Sequence, residues 1–336
     1  MNIFNKNIIN SLIFKNRDEE SCNQNKKEEL ENILPVISNK QYYISEGDEL
    51  FIINMILPNY ELNDVMDNLN KKIDFRYKKN IVEVFTPDFI VSPFLQKVEK
   101  ENSCNEKEPI EKLIDTTRPY LKIDKNKLAL TSIAGIIALT GLFMNNVAVI
   151  IGAMLLSPIL GPIYAFAINS ALGRTKDILK SVSNLLLMIS TVLFFSIVIT
   201  FLISFFMEPT LTQEILSRLD PNFIYVLMSL ALGFASMLAI TKGIPESTAG
   251  VAIAAALLPP TAVSGILIII NPAKAIGPMI LVFQNIFGLM TGSLFGAILL
   301  EIGPREYYKK TASKKIIFRL CLIMSLLVLA LIVLTV

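Results

Sequence analysis

The chain has 336 residues, of which 53% are hydrophobic and only 18% are charged, and its mean hydropathy is +0.55. This composition excludes an ordinary soluble domain and predicts a membrane protein. The formal net charge of +2 averages two unlike parts of the chain. Most of the Lys, Arg, Asp and Glu residues lie in 1–127, and long stretches after Leu128 carry none.

The residue types that are missing exclude several kinds of catalytic and metal-binding site. The chain has no His, which excludes imidazole general-base catalysis and His-containing metal sites. Its cysteines, Cys22, Cys104 and Cys321, have no CxxC spacing, so they indicate neither a disulfide framework nor a metal site. We therefore expect a protein that is not an enzyme and that holds no cofactor and no metal.

The N-terminal part of the chain is predicted to stay in the cytoplasm. Residues 1–41 are expected to be a flexible segment, because Asp, Glu, Asn, Gln and Lys dominate 16–31. The first residues lack the long apolar core and the cleavage site of a signal peptide. Residues 92–127 are charged, contain Pro93 and Pro109, and are interpreted as a linker.

Between these segments, residues 42–91 are predicted to form a small α/β cytoplasmic domain. The predicted order is strand, helix, strand, at 49–57, 62–73 and 81–85. No Gly-rich phosphate-binding loop lies in this stretch. Two roles stay open for the domain: regulation or assembly of the protein, or simple folding and anchoring.

The remainder, 128–336, is predicted to be a transmembrane domain, because it contains repeated apolar runs of about 20 residues. Seven spans are predicted, near 128–144, 147–172, 179–206, 222–241, 247–270, 275–300 and 316–336. If 147–172 were instead a re-entrant hairpin, the basic cluster that follows it would move to the outside. Full crossings are therefore preferred.

Basic residues set the predicted orientation. They cluster before the first span and after the second and sixth spans, at Lys122, Lys125, Lys127, Arg174, Lys176, Lys180, Arg305, Lys309, Lys310, Lys314 and Lys315. The Asn145-Asn146 turn and the loop from Glu208 to Asp220 then lie on the opposite side, with Lys274 as the one exception. This orientation predicts a multi-pass protein of the cell membrane with a cytoplasmic N-terminus and an external C-terminus.

Prolines interrupt two of the predicted spans. Pro158 and Pro162 lie in the second span, and Pro259 and Pro260 lie in the fifth. A proline inside a helix removes a backbone donor and clashes with the carbonyl four residues earlier, which costs about 3 kcal/mol unless neighbours compensate. We therefore expect both spans to be broken helices.

The two proline stretches also indicate an internal repeat. When Pro158 is aligned with Pro259, Asn184 falls on Asn285. Three spans per copy force the second copy to enter from the opposite side, so the prediction is an inverted 3+3 repeat over 128–206 and 222–300, with a final span at 316–336. Broken helices in inverted repeats are a recurring plan of secondary transporters.

The same two stretches carry a resemblance to a known family. Residues 151–162, IGAMLLSPILGP, and 250–260, GVAIAAALLPP, resemble the signature stretches of the bacterial and archaeal membrane family called domain of unknown function 389. The resemblance covers roughly residues 128–300. It implies a hydrophobic membrane domain preceded by a charged, variable N-terminal region, and it brings no substrate or catalytic residue.

Polar residues near the breaks are the candidates for binding a solute. They are Asn184, Gln284, Asn285, Ser157 and Thr261. The amides are candidate ligands of a cation or a polar solute, or they hold helices together through interhelical hydrogen bonds. The hydroxyls either contribute to a binding surface or satisfy carbonyls that proline leaves free.

Two further features lie outside this group. Lys242 and Glu246 flank the start of the fifth span and form either a charged mouth or an ordinary solvated pair. Gly288, Gly292 and Gly296 recur every four residues in the sixth span, a pattern typical of close helix or subunit packing.

Two functions follow from these features. The first is a transporter or channel for a small solute or ion, opened by the four prolines. The alternative is a membrane-anchored sensor or assembly protein whose cytoplasmic domain binds a ligand. No Asp, Glu, Lys or Arg lies well inside a span, which argues against proton coupling through a midplane carboxylate. The expected partners are the lipid bilayer and further copies of the chain, and no nucleic acid.

Overall fold

The computed structural model describes residues 6–15, 41–46, 50–72, 81–85, 110–206, 209–244, 246–304 and 307–333. The chain divides into two compact units, Met1–Pro109 and Ile110–Val336.

The first unit contains a four-stranded antiparallel sheet and one helix. The elements are β1 (Lys6–Lys15), β2 (Gln41–Glu46), β3 (Leu50–Pro58), α1 (Asn59–Lys72) and β4 (Ile81–Phe85), and the strand order is β2-β3-β1-β4. Apolar residues of β3 and α1 form the buried core of the unit, with Ile53 and Met55 from the strand and Leu62, Val65 and Leu69 from the helix.

Strand β1 corrects the expectation that residues 1–41 are flexible. It lies inside the sheet, between β3 and β4, and Ile9 pairs with Met55 on one side and with Val84 on the other. The strand contains three isoleucines, which favour β-structure, and it pairs with a strand on each side. These pairings outweigh the low strand propensity of its Asn and Lys residues. The remainder of the predicted flexible segment lies outside the described residues.

The second unit is helical. Its helices are α2 (Ile110–Thr117), α3 (Lys125–Phe143), α4 (Val147–Leu156), α5 (Leu160–Ala171), α6 (Thr175–Phe206), α7 (Gln213–Leu216), α8 (Phe223–Thr241), α9 (Glu246–Ile270), α10 (Ile276–Leu299) and α11 (Tyr307–Val333). Short 3₁₀ turns occupy Arg118–Tyr120 and Pro272–Lys274.

Within the described residues, five helices are long and apolar enough to cross a membrane, or six if α4 and α5 count as one bent span. The five are α3, α6, α8, α9 and α10. The predicted seventh span at 316–336 coincides with part of α11, which is not among them, and 334–336 lie outside the described residues. Seven spans are therefore not confirmed.

The two proline stretches behave differently. The second predicted span is interrupted between α4 and α5, whose axes differ by 48°. The fifth predicted span is one continuous helix, α9, with Pro259 and Pro260 inside it. The prediction of a broken fifth span is thus wrong. The physical reason lies in α10, where Asn285 donates to the carbonyl that Pro260 leaves without its usual donor.

The first and third helices of each predicted repeat, α3 with α6 and α8 with α10, run parallel to each other and are in contact. A Cβ on Gly135 of α3 would lie 2.9 Å from Cγ1 of Val192 on α6. In the second half, Gly233 of α8 abuts the backbone of Leu289 on α10, and Gly292 of α10 abuts the backbone of Leu230. The glycine pattern of α10 is therefore used inside the chain, against α8.

Burial separates inner helices from outer ones. All twelve residues of α5 are buried. Of the 18-residue apolar stretch in each helix, 72% is buried in α9 and 67% in α10, against 28% in α6 and 33% in α8. The two proline-bearing stretches therefore contribute α5 and α9 to the interior, while α6 and α8 present apolar faces outward.

Candidate functional site at the α4–α5 break

The break between α4 and α5 is built by three residues, Ser157, Pro158 and Ile159. Ser157 is extended, with φ −89° and ψ 119°, and ends α4. Residues that precede proline avoid the helical region, which explains this conformation. Helix α5 starts with Ile159 as its N-cap, and no side chain caps its first turn. The first N–H groups of a helix need a partner outside the helix, so this end is open to one.

The hydroxyl of Ser157 has no hydrogen-bond partner among the described residues, although the residue is only 7% exposed. Most buried hydroxyls of this unit donate to a carbonyl three or four residues earlier in their own helix, as do Thr131, Ser132, Ser170, Ser181, Thr261 and Ser264. Unpartnered buried polar groups are costly and call for a functional explanation. Ser157 is therefore a stronger candidate than the hydroxyls that bond within their own helices.

Two more buried hydroxyls lack a partner in the described part of the chain, Ser196 and Thr200. They lie one turn apart on the same face of α6, and Ser196 abuts Gly265 of α9. Sequence reasoning missed this pair, because a Ser or Thr in an apolar helix normally bonds back to its own backbone.

Tyr120 covers the first turn of α5. Its ring lies against Gly161, where a Cβ would overlap the ring. The ring makes an edge contact with Tyr164, with centroids 5.5 Å apart. Lys127 holds the other side: its Nζ is 3.4 Å from the Tyr120 ring centroid and donates to the carbonyl of Pro119 at 3.2 Å. Sequence reasoning missed Tyr120 as well, since an aromatic residue before a span is common at membrane interfaces.

Asn184 is buried beside this cover. Its Nδ2 donates to the carbonyl oxygens of Tyr120, at 2.6 Å, and of Lys122, at 3.3 Å. A small cleft adjoins these groups, lined by Pro119, Tyr120, Lys122, Ile123, Asp124, Lys127, Leu128, Pro162, Asn184, Leu187 and Met188. The cleft thus joins Pro162, in the first turn of α5, to the residues that precede α3.

Asn285 occupies a different place. Its Nδ2 donates to the carbonyl of Ala256 at 2.7 Å, between α10 and α9. In an unbroken helix this carbonyl would accept from residue 260, which is proline here and has no N–H. The side-chain amide replaces the missing donor. Thr261 donates to the carbonyl of Leu257 at 2.6 Å within the same helix.

The other candidates lie apart from the break. Gln284 donates from Nε2 to the carbonyl of Leu331 on α11, at 3.3 Å. Lys242 is exposed at the C-cap of α8, and the side chain of Glu246 lies outside the described residues. The structure therefore brings Asn184 and Pro162 together, and Asn285 together with α9 near Pro260.

The ends of the helices fall into two neighbourhoods. At one, Asn145 Oδ1 accepts from the backbone N–H of Glu214 at 3.1 Å, and Thr212 donates to the carbonyl of Leu142 at 2.6 Å. At the other, Gly173 lies near Ser313, where an added Cβ would be 3.2 Å from the Ser313 Cα. Helix α4 starts just after Asn145, at the first neighbourhood, and α5 ends just before Gly173, at the second.

No group of His, Cys, Asp and Glu side chains suited to a metal ion occurs in the part of the chain that the structure describes. The polar groups at the break are hydroxyl, backbone N–H and backbone carbonyl. Groups of this kind are able to donate hydrogen bonds to, or accept them from, a small ion or a polar solute.

Long apolar helices with buried polar groups at an interrupted interior helix define a helical, multi-pass membrane protein. Residues 154–291 match the family described as Domain of unknown function (DUF389). This region is a DUF389 domain, and the family predicted from the two proline-bearing stretches is confirmed.

One relative gives the extent of the likeness. The chain is 27% identical over 236 residues to an uncharacterized protein of Methanocaldococcus jannaschii. The aligned region covers 70% of this chain and 72% of the archaeal protein. No solved structure matches the chain significantly.

Proposed function

We propose that the protein is a transporter or channel for a small solute or ion, whose path passes the α4–α5 break. One observation carries the proposal: a buried, interrupted helix with an uncapped first turn and the unpartnered hydroxyl of Ser157 beside it. Transporters use interrupted helices in this way, because free backbone groups are tolerated in a membrane only where they line a cavity or a solute.

The topology proposed with this function is an inverted 3+3 repeat followed by a seventh span in α11. The parallel packing of α3 with α6, and of α8 with α10, supports two equivalent halves. The central burial of α5 and α9, the second members of each half, also supports it. Helix α11 has 27 residues, and its last part, after Arg319, is uncharged and apolar, which supports a seventh span there.

Sidedness is proposed from the basic residues. Lys122, Lys127 and Lys180 belong to the neighbourhood of Asn184 and of the start of α6, whereas the Asn145 turn belongs to the opposite one. The positive-inside rule then places the neighbourhood of Asn184 and of the start of α6 in the cytoplasm. Under this proposal α4 and α5 together cross the membrane, and the protein lies in the cell membrane.

Tyr120 is proposed to close the path on the cytoplasmic side. It lies over the first turn of α5 and is held by Lys127, Tyr164 and Asn184. Movement of the segment that carries Tyr120 would uncover the break without disturbing the apolar contacts between the long helices.

A water-accessibility experiment tests the path without knowledge of the solute. Ser157→Cys is introduced after Cys22, Cys104 and Cys321 are replaced by Ser, and the protein is reconstituted in liposomes. We expect a membrane-impermeant thiol reagent to modify this variant and to block flux in a screen over simple cations, anions and neutral solutes.

Ser170→Cys is the matched control. Ser170 lies on the same helix α5, is fully buried and donates to the carbonyl of Phe166 at 2.6 Å, so we expect no modification there. Unreactive Ser157→Cys together with no flux of any solute from folded, oriented protein contradicts the proposal.

The second candidate is a membrane-anchored sensor. One observation favours it: the residues just before α3 are fixed on the interior helices, through Tyr120 and Asn184. In that case the first unit would bind a ligand and the helices would serve as anchor and subunit contact. A folded protein that moves no solute, and whose Ser157→Cys variant is unreactive, supports this candidate.

A further inference from the structure

We infer that the α4–α5 break binds a small monovalent anion, which names the substrate class of the proposed path and so rests on the proposed function. The feature that recognises the anion is the first turn of α5 together with the Ser157 hydroxyl. A helix N-terminus presents free N–H groups and the positive end of the helix dipole, and both favour negative charge.

A broken helix has two ends, and the electropositive one is the end buried here. Helix α4 finishes in Leu155 and Leu156, which are 58% and 45% exposed. Helix α5 begins with Ile159, Leu160 and Gly161, all buried. The last two residues of α4 therefore lie toward the periphery of the bundle, and the carbonyl of the buried Met154 already accepts from the N–H of Ser157 at 3.3 Å, while the N–H end of α5 lies wholly inside the bundle. A cation would need the opposite arrangement.

Ser157 supplies a hydrogen-bond donor at this end. A serine just before a helix usually caps the helix by accepting from the first N–H groups. Here its hydroxyl accepts no such bond and donates none to the described protein, although the residue is nine-tenths buried. Pro162 has no N–H, so the first turn of α5 offers the N–H groups of Leu160 and Gly161. Together with the hydroxyl hydrogen of Ser157 they suit one ligand that only accepts hydrogen bonds, which is the property of a simple anion.

The cleft beside the break carries positive charge, which matches an anion. The cleft that reaches Pro162 in the first turn of α5 is lined by Lys122 and Lys127. One carboxylate, Asp124, also lines it, and its Oδ1 already accepts from the backbone N–H of Asn126 at 2.9 Å, as the N-cap of α3. No acidic side chain lies in the described parts of α4, α5 or α10. The charge balance at the mouth therefore attracts an anion.

Packing restricts the anion to a small one. Tyr120 covers Gly161 from one side. On another side, Gly250 of α9 approaches Leu160, where an added Cβ would be 3.5 Å from the Leu160 Cβ. Chloride and nitrate are small and singly charged, which fits these close contacts and the lack of a buried cationic side chain among the described residues. A bulky or multivalent anion would need more room and more charge.

The test compares flux and binding in the full-length protein. Liposomes are loaded with chloride or nitrate, and parallel samples contain sodium, potassium or glycerol. Thermal unfolding of the detergent-solubilised protein is followed with sodium nitrate and with sodium gluconate at equal ionic strength. The variants are Ser157→Ala, Ser157→Thr and, as the control, Ser170→Ala, whose hydroxyl bonds inside its own helix.

We expect anion flux to fall at least tenfold in Ser157→Ala and to be retained in Ser157→Thr and Ser170→Ala. We also expect nitrate to raise the unfolding temperature of every protein except Ser157→Ala. Anion flux that is equal in Ser157→Ala and wild type overturns the inference. Flux confined to cations or glycerol overturns it too, but leaves the proposed path in place.

Failure of the transport function has a separate signature. If no solute moves while nitrate still stabilises wild type and not Ser157→Ala, the anion site stands and the transporter proposal is wrong. If neither flux nor nitrate stabilisation is found in folded protein, both are wrong.

Discussion

The two proline-bearing stretches of this protein start from similar sequences and reach different structures. Pro158 separates α4 from α5 with a 48° bend, whereas Pro259 and Pro260 lie inside the continuous helix α9. The difference is in the neighbours. Asn285 donates to the carbonyl of Ala256, which Pro260 deprives of its backbone donor, and no side chain caps the start of α5. In α9 a side chain of a neighbouring helix thus supplies the donor that Pro260 removes, which is one way in which a membrane helix tolerates proline.

The two stretches also differ in what surrounds them. Every residue from Leu257 to Leu267 of α9 is buried in the bundle, so packing holds both prolines in a helical path. At the end of α4 the exposed Leu155 and Leu156 offer no such support. Packing and one hydrogen bond together oppose a cost of about 3 kcal/mol for each of the two prolines.

The largest expected effect comes from filling the space under Tyr120. Gly161→Ala places a Cβ on the Tyr120 ring, and overpacking of this kind costs about 3 kcal/mol when the neighbour is fixed. We expect a lower unfolding temperature and a displaced Tyr120. Thermal unfolding in detergent measures the first, and altered flux through the break reports the second.

Gly152→Ala is the matched control for this change. Gly152 lies in α4, and nothing is within 4 Å of an added Cβ there. Alanine has the higher helix propensity, so the control should be neutral or stabilise by up to about 1 kcal/mol. Equal destabilisation by both variants would show that the contact with the Tyr120 ring is not the cause of the stability lost in Gly161→Ala.

The next effect tests why α9 stays continuous. Asn285→Leu leaves the partly buried carbonyl of Ala256 without a donor, which costs about 2 kcal/mol. Pro260→Ala restores the backbone N–H of residue 260. We therefore expect the Asn285→Leu/Pro260→Ala double variant to recover most of the stability lost in Asn285→Leu, as measured by a double-mutant cycle of unfolding free energies.

Thr291→Val serves as the control in the same helix, because the Thr291 hydroxyl donates to Phe287 within α10 and not to α9. Its cost should not depend on whether residue 260 is proline. Strictly additive effects of Asn285→Leu and Pro260→Ala would refute the compensation argument.

Local patterns in the sequence predict much of this fold, and long-range partners account for what they miss. Apolar runs give the long helices, and the steric effect of Pro158 on Ser157 gives the break. The continuity of α9 depends on Asn285, which is on a different helix, so no pattern around Pro260 reveals it. Strand β1 escapes prediction for the same reason, since its partners β3 and β4 lie far along the chain.

The candidate site divides in the same way. Ser157 and Pro158 follow from the motif itself, because a proline fixes where the helix opens. Tyr120 does not, because its contact with Gly161 joins a residue before α3 to the start of α5. The partners of Asn184 and Asn285 are equally invisible in sequence: the repeat alignment pairs the two residues, yet one holds the segment before α3 and the other holds α9.

The smallest expected effect comes from removing one hydroxyl in each proline-bearing stretch, Ser157 at the break and Thr261 in α9. Ser157 makes no hydrogen bond to the described protein, whereas Thr261 donates to Leu257 at 2.6 Å. Removing an unpartnered buried hydroxyl loses no bond, so Ser157→Ala should leave the unfolding free energy unchanged or slightly raised. Thr261→Val should cost about 1 kcal/mol, the net worth of one hydrogen bond. A clear loss of stability in Ser157→Ala, measured without added anions, would mean that Ser157 maintains the break and does not serve a ligand.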